Sequence, residues 1–247
     1  MFHPARPVAK AGTGRVAPFY QMGWSGKKRK RTRSKRGVRK YIGAKPQILK
    51  NPSTAVPNSA VVKLRYSTEV DLNSAVAPMV AHVFRGASIN DPDFTGAGHQ
   101  PRGHDQWANF YHRYRVLQST ILVDMRDTNN SVQGHVCGVA AMERSTALVS
   151  FPYRYTEQPY VKYIGNTVIE SETPRLMMTM KSEYFEGVTD VYVDNNYTAD
   201  VNSNPAKDWY WHIFAASLNG TTTVGMRAYV TIIYTVQFFE RQDLADS

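Results

Sequence analysis

Ten of the fifteen residues in "GKKRKRTRSKRGVRK" (26–40) are Lys or Arg: Lys27, Lys28, Arg29, Lys30, Arg31, Arg33, Lys35, Arg36, Arg39 and Lys40. None is acidic, and Val38 is the only aliphatic side chain among them. The chemistry such a run offers is phosphate neutralisation. Cations at this density release counterions from a polyanion, giving binding that weakens with salt and ignores base sequence. Guanidinium groups add bidentate phosphate contacts and stacking on bases. The first acidic residue is Glu69, so the acid-free stretch is 68 residues long, whereas a merely solvated surface mixes both signs. No apolar face interleaves with the charges, which disfavours a helix lying on a membrane. "KKRKR" (27–31) also matches a basic nuclear-import signal, read through the same charges. Phe19, Tyr20, Trp24 and Tyr41 flank the run and offer rings for stacking on unpaired bases.

The second concentration of reactive side-chain types is "FRGASINDPDFTGAGHQPRGHDQWANFYHRYRV" (84–116). Asp91, Asp93, His99, His104, Asp105 and His112 raise the question of a metal. The spacing answers against it: there is no HExxH, and Pro92, Pro101 and several glycines keep the segment in loop form. "DPDFTG" (91–96) echoes a calcium loop but lacks the Glu that completes one. The residues instead predict a long structural loop. Asp91 and Asp93 would accept backbone N–H bonds, Gly96, Gly98 and Gly103 would supply positive φ, and Trp107, Tyr111 and Tyr114 would pin the loop down. No GxSxG elbow, no GxxxxGK[ST] phosphate loop and no His-hydrophobe-His pair with a downstream tyrosine occurs. The expectation is a protein without enzymatic activity, cofactor or metal.

These groups must be positioned by the rest of the chain, and its charge is split. Residues 1–50 carry 15 Lys/Arg and no acid, giving +15; residues 51–247 carry 15 against 20 Asp/Glu, giving −5; the sum is the net +10. A segment with so much like charge cannot bury enough apolar area to offset its ordering entropy. Residues 1–55 are therefore expected to form a disordered arm and linker, closed by Pro52 and Pro57. From about 56 onward the pattern is of strands. In "MRAYVTIIYTVQFFE" (226–240) Met226, Ala228, Val230, Ile232, Tyr234, Val236 and Phe238 alternate with Arg227, Thr231, Thr235 and Gln237, a period of two. Further strands are expected over 60–71, 78–85, 112–125, 133–142, 159–164, 175–184 and 208–218. Turn signals stand at Asn129-Asn130, Gly165-Asn166, Asn195-Asn196 and Asn219-Gly220. "AAMERSTAL" (140–148) reads as a possible short helix. Eight strands with uneven connections give an all-β, two-sheet sandwich. Cys137 is the only cysteine, which excludes an intrachain disulfide, and it is expected to be a small buried hydrophobe. No apolar run approaches the roughly 18 residues of a membrane span, so no membrane insertion is expected. With no apolar signal region at the N-terminus, secretion is not expected either.

Within 84–116 the elements Phe84-Arg85, Asn90-Asp91-Pro92-Asp93, Gly98-His99-Gln100-Pro101, Gln106-Trp107, and Tyr111, Tyr114 and Val116 follow one another at fixed spacing. This succession resembles the capsid proteins of circovirus-like viruses, the small circular single-stranded DNA viruses that also encode a replication initiator. "PYVKY" (159–163) and "DWYWHIF" (208–214) fit the same family, as does the order of basic arm and β domain. The resemblance implies a single eight-stranded jelly-roll β-sandwich, strands B to I, preceded by the arm. It implies a homo-oligomer, about sixty copies closing into a T=1 icosahedral shell. The ten cations of 26–40 would hold a single-stranded DNA genome on the inner surface. Host nuclear import receptors would be partners during assembly in the nucleus, the virion would be the final location, and the host cell-surface receptor stays unknown. Many relatives carry the Arg-rich run almost at the N-terminus; here 25 residues precede it. Two other readings fit the composition: a monomeric nuclear or ribosomal RNA-binding β-sandwich with a basic tail, and an extracellular sugar-binding sandwich. The absence of disulfides counts against the second.

Overall fold

The apolar alternation resolves into strands. The computed structural model describes residues 56–128, 134–149, 152–166, 175–186, 195–218 and 224–243. Among these lie β1 (Ser59–Ser74), β2 (Met79–Arg85), β3 (Tyr111–Asp127), β4 (His135–Met142), β5 (Val161–Asn166), β6 (Arg175–Lys181), β7 (Thr198–Asp200), β8 (Tyr210–Ser217) and β9 (Val224–Arg241). Three one-turn helices interrupt them: α1 (His104–Ala108), α2 (Tyr153–Thr156) and α3 (Glu183–Glu186).

Every pairing is antiparallel. One sheet runs β1-β9-β3-β6, with β7 added to β3; the other runs β2-β8-β4-β5. Lettering the eight long strands B to I in chain order gives B-I-D-G opposite C-H-E-F. That interleaving of two Greek keys is the jelly roll. The periodicity that predicted β9 is the burial pattern observed: Met226, Ala228, Val230, Ile232, Tyr234, Val236 and Phe238 all face the core, while Arg227, Thr231, Thr235 and Gln237 face out. β3 alternates likewise but slips register between Val116 and Gln118, a bulge that keeps both Val116 and Ser119 inward.

The inter-sheet core is aromatic, with Trp209, Trp211, Tyr66, Tyr111, Tyr114, Tyr234, Phe84 and Phe238 fully buried. Burial obliges the indole N–H groups to find acceptors. Trp211 Nε1 donates to Ser119 Oγ at 2.6 Å, and Trp209 Nε1 to Ser182 Oγ at 3.1 Å, which itself donates to the Val116 carbonyl. Replacing Ser119 by Ala orphans the Trp211 donor between the sheets. We expect a loss of about 1–3 kcal/mol in urea unfolding, with Ser119→Thr milder because it keeps the acceptor.

A second, smaller core lies on the far side of the second sheet, where Met79, Ala140, Met142, Leu148, Tyr155, Phe214 and Ala216 pack together. Gly138 is required there, because a Cβ would run into the Phe214 ring and the Lys162 carbonyl. One hydrogen-bonded chain fastens this cover. His212 Nε2 donates to the Arg144 carbonyl at 2.7 Å, so Nδ1 accepts from Tyr155 Oη, which accepts in turn from the Leu148 N–H. The chain demands a neutral imidazole, and burial pushes the His212 pKa down to about 4.

Several expectations need correction. No helix forms over 140–148: Ala140–Met142 complete β4, paired to β8, and the rest carries no helix. Gly165 and Asn166 end β5 rather than form a turn, whereas Asn195-Asn196 do open a turn, of 3-10 form, as expected. Asn129-Asn130 and Asn219-Gly220 lie outside the described residues. Cys137 is buried and free, its thiol pushed up to about 12 by desolvation.

Candidate functional site

The ten cations of the basic run, Lys27 to Lys40, lie outside the described residues, as does the whole of 1–55. What is described is where the chain enters the first sheet. Tyr111 Oη donates to the Pro57 carbonyl at 2.8 Å and Arg241 Nη1 to the Val56 carbonyl at 3.3 Å, immediately before β1 pairs with the end of β9.

The motif loop follows β2, and its first half folds back on that strand. Arg85 N–H donates to the Pro92 carbonyl at 2.7 Å, and Phe94 N–H to the Val83 carbonyl at 3.1 Å. Asp93 is nearly enclosed and gathers three donors: His82 Nε2 at 3.0 Å, Thr95 Oγ1 at 2.7 Å and the Thr95 N–H at 2.9 Å. Burial alone would raise its pKa, but these hydrogen bonds and the nearby imidazole outweigh it and hold the carboxyl below the ordinary range. Asp91 does not accept the backbone bond predicted for it; its carboxylate sits 4.0 Å from Arg85. Gln100 Nε2 bonds Asn90 Oδ1 at 3.0 Å, tying the two ends of the loop together. His99 lies over Tyr66, ring centroids 4.7 Å apart.

Gly96 and Gly103 take positive φ, +75° and +92°, as predicted; Gly98 does not. It is needed for close approach, since a Cβ would press on the Asp93 Cβ and Tyr66 Oη. Pro101 accepts the His104 N–H where α1 begins. Trp107 stacks on Phe238 at 5.8 Å and on Tyr111 at 6.2 Å, and Tyr114 Oη donates to the Ser203 carbonyl at 2.9 Å. The aromatic residues therefore anchor the loop as predicted. His104 is spent on the Val201 carbonyl at 2.9 Å and on Asp105 Oδ1 at 3.3 Å, the Asp105 side chain being 80% exposed. Among the described residues no three His, Cys, Asp or Glu side chains gather as a metal site.

Asp208 was not singled out from sequence, yet it ties the motif loop to β8. Its Oδ1 accepts the N–H groups of Ala87 and Trp209, both at 2.8 Å, and Oδ2 lies 4.0 Å from Arg85. Burial pushes its pKa up to about 7, against the opposing pull of the Ala87 N–H, the Arg85 charge and the Trp209 N–H. The available signal was an acid directly before the apolar run of β8.

No family model matches the chain, and no curated protein matches it. Solved structures similar to it are viral coat proteins. The 60-mer capsid protein of BFDV has a TM-score of 0.42 at 12% identity, covering 76% of this chain and 97% of that one. The Cocksfoot mottle virus structure has a TM-score of 0.45 at 9% identity, covering 81% and 94%. The empty head of Turnip yellow mosaic virus has a TM-score of 0.41 at 12% identity, covering 81% and 90%.

Proposed function

We propose that the chain is the structural capsid subunit of a circovirus-like single-stranded DNA virus. Residues 56–247 are the shell-forming jelly roll, and residues 1–55 are the arm that holds the genome. The observation that carries this reading is the charge split on that fold: +15 without one acid in residues 1–50, joined to a jelly roll whose segment sums to −5. The motif succession of 84–116 supports the same family. About sixty arms of fifteen charges supply on the order of 900 positive charges inside a shell, enough to offset much of a small genome's phosphate. The run 27–40 also serves nuclear import, placing assembly in the nucleus and the product in the virion.

The experiment is sedimentation of the purified full-length protein over a range of concentration and salt, with negative-stain microscopy of the fast fraction. A jump to closed particles of megadalton size is expected. A monomer under every condition would overturn the shell reading in favour of a monomeric RNA-binding protein with a basic tail.

A further inference from the structure

The first sheet carries an unexpected charge pattern on the face opposite the core. At the β1–β9–β3 end remote from the chain's entry, two outward cations are paired with acids and a third, Arg126, lies over the Tyr229 ring. Arg227 pairs with Asp71 at 2.6 Å and Arg175 with Asp124 at 2.9 Å. At the entry end they are in excess. β1 presents Lys63 and Arg65, and neither has a carboxylate within ion-pair distance among the described residues. β3 presents Arg113 and Arg115 on the other side of β9, both engaged with neighbouring groups. Arg113 is shared between Asp200 at 3.7 Å and Glu240 at 3.3 Å.

Between the two strands stands Phe239, half-exposed on β9, opposite Arg113 on one side and the small, exposed Ser59 on the other. The Arg115 guanidinium lies 4.4 Å from its ring centroid and that of Arg113 5.9 Å. Beyond this ring the face continues through Thr235, Gln118 and Ile233, with no acid until Glu69. An aromatic ring beside two guanidinium groups, with Lys63 and Arg65 four and six residues beyond Ser59 on the neighbouring strand, offers stacking to an unpaired base and charge to phosphates further along the same nucleic-acid strand. A duplex would use the cations but not the ring.

We infer that this face is a second contact for single-stranded nucleic acid, with Phe239, Arg113 and Arg115 stacking a base and Lys63 and Arg65 holding phosphates further along the same strand. The occupant is set by charge. The chain's own residues 1–50, at +15 with no acid, are repelled by such a face, whereas a polyanion satisfies both. The inference rests on the proposed DNA-holding shell and adds to the arm's phosphate neutralisation a contact in the folded domain that distinguishes unpaired strands from duplex.

The test uses full-length protein and a 20-nucleotide single strand carrying bromodeoxyuridine, photo-crosslinked and mapped by peptide mass. Adducts are expected both in 26–40 and in the peptides holding β9 and the start of β3. Phe239→Leu, checked for an unchanged melting temperature, should lower the preference for single strand over duplex several-fold at constant salt slope. K63Q/R65Q together should reduce the log–log salt slope by about 1.4 and leave that preference intact. Adducts confined to 26–40, with F239L indistinguishable from wild type, overturn this inference and leave the arm reading standing. Adducts on β9 without any in 26–40 uphold it and overturn the arm. If the face is instead protected from modification in assembled protein free of nucleic acid, it is covered by a second copy and the inference fails.

Discussion

Deletion of residues 1–45 is expected to remove retention of single-stranded DNA at moderate salt while leaving the jelly roll folded. The deletion takes away 14 of the 30 Lys and Arg and leaves β1 to β9 intact. At roughly 0.7 counterions released per phosphate contacted on a single strand, full engagement of those cations gives a log–log salt slope near −10. The intact protein is then expected to lose at least a thousandfold in affinity between about 50 and 200 mM salt. The truncated protein should keep only a weak, shallow salt dependence at low ionic strength, from the cations of the first sheet. Because the arm acts by summed charge, alanine at Arg29 or Arg36 alone should change affinity only a few-fold. Nuclease protection of DNA by the truncated protein at 150 mM salt would show that the arm is not the genome-holding element.

The second large effect is a pH dependence hidden by two opposed groups. In the folded protein Asp208 has its pKa raised to about 7, so between pH 4 and 7 the folded state holds a proton there that the unfolded chain has released. Its contribution to stability is complete below about pH 3.8 and is lost as pH rises through about 7. His212 behaves oppositely. With its pKa lowered to about 4, the folded state refuses a proton that the unfolded chain takes up below about 6.5, and stability is lost as pH falls from 6.5 towards 4. Across the overlap the two slopes cancel, and wild type should show a nearly flat stability between about pH 4.5 and 6.5.

Asp208→Asn keeps an oxygen for the Ala87 and Trp209 N–H groups but cannot titrate. Its stability should rise with pH across the same window, by up to about 1.4 kcal/mol per unit and about 3 kcal/mol overall. The decline of wild type through pH 7 should disappear with it. Urea unfolding from pH 4 to 8 reads both effects. An Asn variant whose profile runs parallel to wild type would mean that Asp208 stays ionised beside Arg85 throughout.

Both effects arise from features of unequal visibility in a linear sequence. β1, β6 and β9 could be found because each spends one face on the core and the other largely on solvent, and a period of two marks that division; β4 and β8, buried on both faces, showed instead as short apolar runs. β7 could not, since Thr198–Asp200 is too short to display any period. The helix expected over 140–148 failed for the opposite reason. An apolar stretch as short as Ala140–Met142 suits either conformation, and the open partner edge of β8 decided for a strand. The motif loop was readable as a loop from Pro92, Pro101 and its glycines, and its aromatic anchors fell where expected. The partners of the two acids were only half readable: Asp93 took a backbone amide as expected, that of Thr95, but also the His82 side chain, and Asp91 faced an arginine.

The charge split and the eight long strands were settled by local composition and periodicity, because like-charge density and face alternation are properties of neighbours along the chain. The interleaved order of the two sheets, the neutral His212 beneath its cover and the raised Asp208 were decided only by folding. So was the placing of Arg113 beside Phe239, which come together through the register of β3 against β9. Charge–charge and charge–ring energies depend on distance and desolvation through space, and residues more than a hundred positions apart acquire both only when the sheets close.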